Sequence, residues 1–291
     1  MKLSEINIRD PYIFADGKAN KYYLYSSYCK GDEKGFQAYV SDDLVEWSDP
    51  VIVFLKGCDF WATKDFWAPE MHFYKGKYYL FGTFRADGKP RNCQILVSDS
   101  PLGPFTIHSS LLAPESWFAL DATLYVENEV PYAIFSHEWV QISDGEMCFV
   151  RLKDDLSAPV GNAVSLFKAS NAKWSKCPYW NKNKTPVYIV DAPFVYEIDG
   201  IKFIIWSSWA DEDSNSYSVG VAYPKNGVLG GEYTHERLKL PKADSGHAMI
   251  FKDFSGVFRI CLHENNSVPC GERAAIYRVG VNDGRLVVYD K

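Results

Sequence analysis

The sequence predicts an all-β fold, a five-bladed β-propeller, from three observations: a paired-strand phrase that recurs five times, an aromatic-rich composition, and no amphipathic helical pattern of useful length. Each copy opens with a short apolar strand, turns through Gly or Asp, and returns as a strand dense in aromatic and β-branched residues. The first joins Asp10-Pro-Tyr-Ile-Phe to Lys21-Tyr-Tyr-Leu-Tyr, and the second joins Trp67-Ala-Pro-Glu-Met-His-Phe to Lys77-Tyr-Tyr-Leu-Phe. The third joins Asp121-Ala-Thr-Leu-Tyr-Val to Pro131-Tyr-Ala-Ile-Phe, and the fourth joins Asp191-Ala-Pro-Phe-Val-Tyr to Lys202-Phe-Ile-Ile-Trp. The fifth joins Gly246-His247-Ala-Met-Ile-Phe to Val257-Phe-Arg-Ile-Cys. A third element follows in residues 37–47 and 94–105, so each unit is a meander of at least three strands. The interval of roughly 55 to 70 residues suits one four-stranded blade with its loops. A β-sandwich would not repeat a motif at that spacing, and the coils of a parallel β-helix are shorter. Five blades fill residues 1–291 as a single domain.

Composition fits this reading and narrows the partners. Hydrophobic residues at 47% and charged residues at 23% are the balance of a chain that buries a core behind a solvated surface. Aromatic residues, 16% of the chain, favour strands and also provide the flat faces that stack on sugar rings. A net charge of -6 with no Lys/Arg run offers no footprint for nucleic acid. The N-terminus lacks the basic and apolar segments of a signal peptide, and no apolar run reaches the length of a membrane span. The expected location is therefore cytoplasmic. Seven cysteines without a C-x-x-C pair indicate neither a disulfide framework nor a zinc knuckle.

Function is expected where the blades converge. The first strand of each blade lines the axis of a propeller, so Asp10, the Trp67–Glu70 turn, Asp121, Asp191 and Gly246-His247 should meet there. A strand start with one Asp is commonly just a turn, but three aspartates at corresponding positions form a cluster that repels itself and disfavours strand structure. Glycosidases need a carboxylic acid to protonate the leaving oxygen and a carboxylate to activate water or attack the sugar, and a third carboxylate can keep the acid protonated. Second strands return to the same face, so Tyr28, Arg85, Glu138, Trp139, Trp209 and His263 should form the rim. Glu138 is thereby a substitute acid, and Glu70 is placed to position substrate. Trp67, Trp139 and Trp209 are candidate stacking platforms.

The five opening phrases, in this order and across the whole chain, resemble the blade signatures of glycoside hydrolase family 43. The resemblance implies an inverting glycosidase acting mainly on arabinosides and xylosides, with no cofactor required. It makes Asp10 the general base and Asp121 the modulator of the acid's pKa. The family's fourth signature opens with the general-acid Glu, and Asp191 stands there instead. His247 matches an axial histidine that binds water or a calcium ion. The expected substrate is an oligosaccharide cut from its end. Two other readings share the pocket: a phosphorylase, which needs a cation such as Arg85 for phosphate, and a sugar-binding propeller without turnover.

Overall fold

The computed structural model describes residues 1–177, 179–210 and 216–289. Its strands form five antiparallel four-stranded sheets, each a meander in sequence order. Blade 1 contains β1 (Tyr12–Asp16), β2 (Lys21–Lys30), β3 (Glu33–Ser41) and β4 (Val51–Leu55). Blade 2 contains β5 (Lys64–Tyr74), β6 (Lys77–Arg85), β7 (Asn92–Ser98) and β8 (Thr106–Ile107). Blade 3 contains β9 (Ala119–Glu127), β10 (Val130–His137), β11 (Glu146–Leu152) and β12 (Pro159–Lys168), and a one-turn helix, α1 (Trp139–Ile142), follows β10. A small hairpin of β13 (Tyr179–Trp180) and β14 (Pro186–Val187) precedes blade 4. Blade 4 contains β15 (Asp191–Ile198), β16 (Ile201–Ala210), β17 (Ser216–Pro224) and β18 (Tyr233–Arg237). Blade 5 contains β19 (Ser245–Lys252), β20 (Phe258–Glu264), β21 (Arg273–Asn282) and β22 (Arg285–Tyr289). The predicted five-bladed propeller and its five strand pairs are thus the observed ones.

Because both faces of a blade are covered by neighbouring blades, the middle strands are buried over long runs rather than at alternate positions. β17 is buried at every position. Between blades 1 and 2, Phe36, Phe54, Phe60, Phe66 and Phe84 pack with ring centroids 4.9 to 6.4 Å apart. These tilted, edge-on and stacked contacts fill the wedge between diverging sheets. The N-terminal segment closes the ring: Asn7 bridges Arg273 in blade 5, while Lys2 bridges Glu46 in blade 1. All seven cysteines are free thiols, with Cys93, Cys148 and Cys261 buried.

One irregularity recurs in every blade and builds the site. Asp10, Ala68, Asp121, Ala192 and His247 all have left-handed backbone, with φ between 46° and 56°. The ladder between first and second strands slips at this point in blades 2, 3, 4 and 5, and in blade 1 it starts only at Tyr12. A non-glycine residue in this conformation is strained, and β-bulges of this kind re-aim side chains at functional sites. The repeat also corrects the expected register. Asp10 and Asp121 are equivalent, but Asp191 falls one position earlier, level with Arg9, Trp67, Leu120 and Gly246.

Candidate active site

Two rings of residues follow from the bulge. Asp10, Asp121 and His247, from the left-handed position, and Arg9, Trp67, Leu120 and Asp191, from the position before it, all line one central pocket of about 660 Å³. Asn7, Ser26, Tyr217, Arg91, Glu138 and the α1 residues Trp139 and Val140 complete its wall. In blade 5 the earlier position is Gly246, where a Cβ would lie 2.2 Å from the ring of Tyr217. Only glycine lets that tyrosine pass, and its hydroxyl donates to Asp191 Oδ2 at 3.1 Å.

The bulges are held by the preceding blade. The Asp10 N–H donates to His263 Nδ1 at 3.2 Å, the Asp121 N–H to Thr83 Oγ1 at 2.9 Å, and the His247 N–H to Ser207 Oγ at 2.9 Å. In blade 4 the Ala192 N–H donates to Asp121 Oδ2 at 3.2 Å. Amides freed by the broken ladder are therefore satisfied between blades, which couples the position of each carboxylate to its neighbour.

Electrostatics separates the three aspartates. Burial alone would raise the Asp10 pKa, but His247, whose Nδ1 donates to Asp10 Oδ1 at 2.9 Å, with Arg9 and His263 reverses the effect and holds Asp10 well below the usual carboxylate range. Burial opposes the charge on His247 too, yet Asp10 and Asp121 raise its pKa to about 9. Asp191 moves the other way: burial first, then the nearby Asp121 charge, push it well above the usual range despite His247 and the Tyr217 hydroxyl. Asp121 rises to about 7 through burial, with Asp10 and Glu70 adding to the shift and His247 opposing it. The pocket thus pushes the pKa values of Asp10 and Asp191 in opposite directions, the separation that a base and an acid require.

The raised Asp121 pKa has a cost in stability. Its favourable contribution is complete below the ordinary value of 3.8 and is lost as pH rises through about 7. Asp121→Asn is therefore expected to raise the melting temperature by several degrees at about pH 8, with the gain shrinking as the pH falls toward 3.8. Thermal melts across this range check it.

Several expected site residues stand elsewhere. Glu70 is buried, with Oε2 3.4 Å from His72 Nε2, and does not line the cavity. His263 is fully buried behind Asp10 as the acceptor for its amide, and burial lowers its pKa to about 4. Arg85 lies outside the lining, 3.6 Å from Asp65 and over the Phe118 ring. Trp209 packs toward Tyr217 in the β16–β17 ladder, and Tyr28 bonds Glu33 on an exposed hairpin. Neither lines the pocket among the described residues. Side chains alternate between the two faces of a strand, so reaching the pocket end of a second strand does not by itself turn a side chain into the cavity. Trp67, Trp139 and Glu138 do reach the wall.

Arg91 and Tyr217 are pocket residues that the repeat phrase did not mark, since both lie on third strands or just before them. Thr83 and Ser207 were also missed. A small hydroxyl residue near the end of a second strand was their one sequence signal.

Calcium does not fit the residues present. His247 turns its Nδ1 to Asp10, and among the described residues no group of three or more His, Cys, Asp or Glu side chains is placed to hold a metal ion. Calcium prefers six to eight oxygen ligands, so no step below runs through it. Among the described residues no helix is long and apolar enough to cross a membrane.

Comparison with known proteins agrees with this geometry. The family model "Glycosyl hydrolases family 43" matches residues 3–286. The crystal structure of an endo-arabinase from Bacteroides thetaiotaomicron VPI-5482 is 37% identical, superposes with a TM-score of 0.89, and the match covers 98% of each chain. A thermostable family-43 glycoside hydrolase is 23% identical with a TM-score of 0.83, the match covering 98% of this chain and 93% of that one. An α-L-arabinofuranosidase from Lactobacillus brevis, at 16% identity and a TM-score of 0.75 over 95% and 92% of the two chains, shares the fold. No curated protein matches the chain. The propeller, the carboxylate-lined pocket and the match over nearly the whole sequence place this chain in glycoside hydrolase family 43, whose members hydrolyse glycosidic bonds.

Proposed function

We propose that the protein is an inverting exo-glycosidase that removes a terminal arabinosyl or xylosyl unit from an oligosaccharide. The observation that carries the reading is the contrast between two carboxyl groups in one pocket: Asp10 lies 2.9 Å from His247 Nδ1, which draws its pKa down, while burial and the Asp121 charge push that of Asp191 up. Asp10 accepts a proton from water as its oxygen attacks the anomeric carbon. Asp191 gives its proton to the departing glycosidic oxygen on the other side, so the C–O bond breaks as the new one forms and the configuration inverts. Burial and the Asp121 charge raise the pKa of Asp191, and His247 lowers that of Asp10 against its burial. Asp191 retains part of its surface at the pocket, whereas Glu138 has none, which favours Asp191 as the acid.

The N-terminal Asn7–Arg9 segment and the α1 residues Trp139 and Val140 add walls to the pocket beyond those of the blade strands, which supports binding of a chain end. Endo action is the second reading, favoured by the name of the 37% identical relative. A phosphorylase has less support, because Arg85 is outside the pocket and Arg91 is neutralised by Asp65 and Glu138.

The test is incubation with aryl arabinofuranoside, xyloside and galactofuranoside, then with linear arabinan and xylan, following products by NMR. Release of a single pentose with inverted configuration is expected. Retained configuration would overturn the mechanism, oligosaccharide products from polymer would replace exo by endo action, and phosphate-dependent turnover would favour the phosphorylase.

A further inference from the structure

We propose that Arg91, locked between Asp65 and Glu138, is a positioning residue that fixes the Trp67 indole as a one-sided platform for a sugar ring of the substrate. The inference rests on the reading that this pocket takes an oligosaccharide. The guanidinium carbon of Arg91 lies 4.3 Å from the centre of the Trp67 ring, so it covers one indole face. Nε and Nη2 of Arg91 donate to Asp65 Oδ2 at 3.1 and 2.9 Å, and Nη1 donates to Glu138 Oε1. A planar group tied at three nitrogens to two separate carboxylates cannot turn without breaking a charged hydrogen bond.

The cost of this arrangement calls for a purpose. Glu138 has no accessible surface, and its second oxygen has no hydrogen-bond partner among the described residues. A buried ion pair adds little to stability over an apolar packing of the same shape. Trp67, by contrast, is 40% exposed at the pocket wall. It also sits where backbone structure is weakest, between left-handed Asp65 and Ala68, with a break in the strand ladder on either side. An indole there would lose conformational freedom on meeting a sugar, and restraining it beforehand removes that penalty from binding. With its other face occupied by Arg91, the ring presents one surface to the apolar face of a pyranose or furanose ring. Arg85, 3.6 Å from Asp65, balances the second carboxylate, which accounts for its place outside the pocket.

A double-mutant cycle on sugar affinity tests the clamp without requiring turnover. The parent is Asp10→Asn, and the ligand is whichever of arabinotriose and xylotriose it binds, measured by calorimetry. Arg91→Lys keeps the charge but loses the planar stack, and should weaken binding about tenfold, the scale of one aromatic contact. Trp67→Ala should weaken it at least as much, and adding Arg91→Lys to Trp67→Ala should change affinity by less than about twofold. Multiplying effects, or Arg91→Lys binding like the parent, would overturn the clamp while leaving the substrate reading intact. A parent that binds neither sugar would overturn both. Melting curves accompany each protein. If Arg91→Lys fails to fold, the uncharged combination Arg91→Met with Glu138→Gln enters the same cycle with the same expected outcomes.

Discussion

Replacing Asp10 by asparagine is expected to lower turnover by about a thousandfold or more, on natural oligosaccharides and activated aryl glycosides alike, while the sugar still binds. Water activation needs a group that accepts a proton, and the amide cannot. Removing the base also differs from removing an acid, because a better leaving group does not compensate for a water that stays protonated. The asparagine can keep a hydrogen bond to His247 Nδ1, now 2.9 Å from Asp10 Oδ1, so the pocket geometry should survive. Steady-state kinetics with both substrate classes, beside calorimetric sugar binding, measure the effect. Turnover within tenfold of wild type on either class would remove Asp10 from the reaction.

The second large effect concerns the proton donor and separates Asp191 from Glu138. Asp191→Ala should leave an enzyme whose rate depends steeply on the phenol's pKa across a series of aryl glycosides, because a poor leaving group departs slowly without a proton. Natural oligosaccharides should suffer by about a hundredfold or more, and the most acidic phenols much less. Glu138→Gln should lose activity by a similar factor with every phenol, as expected for a residue that acts through Arg91 and Trp67. Its carboxyl pKa is raised by burial, but the Arg91 guanidinium opposes that shift and engages one oxygen, which makes it a poor proton store. If the steep dependence appears in Glu138→Gln instead, the acid belongs to the end of β10 and Asp191 becomes a structural carboxyl group. A phosphate or azide rescue series is unnecessary, because the slope alone assigns the donor.

Much of this site was legible in the sequence because a propeller repeats its errors and its rules together. The five phrases located every first strand, and with them Asp10, Asp121, Asp191, Trp67 and His247, all of which line the pocket. The rim was less legible. Counting along second strands tells which strand ends reach the pocket but not which face each side chain takes, so Arg85, Trp209 and His263 were placed in a cavity that they do not line. His263 is instructive: a histidine at a strand end has the composition of a binding residue, yet it serves as the acceptor for the Asp10 amide of the adjoining blade.

The sequence by itself determined the all-β architecture, the number of blades and the identity of the carboxylates, since these follow from local strand periodicity and from repeat order. Tertiary structure alone decided three further matters. The left-handed bulges set Asp191 one position from Asp10 and Asp121, and no residue type in the phrase announces a φ near 50° at Ala68 or Ala192. The pKa shifts of the aspartates depend on His247 and Tyr217, which reach the pocket from distant points in the chain. Arg91, just before β7, meets Trp67 of β5 with β6 between their strands, and meets Glu138 across a blade boundary. Such contacts depend on distances between separate sheets, and periodicity along one strand carries no information about them.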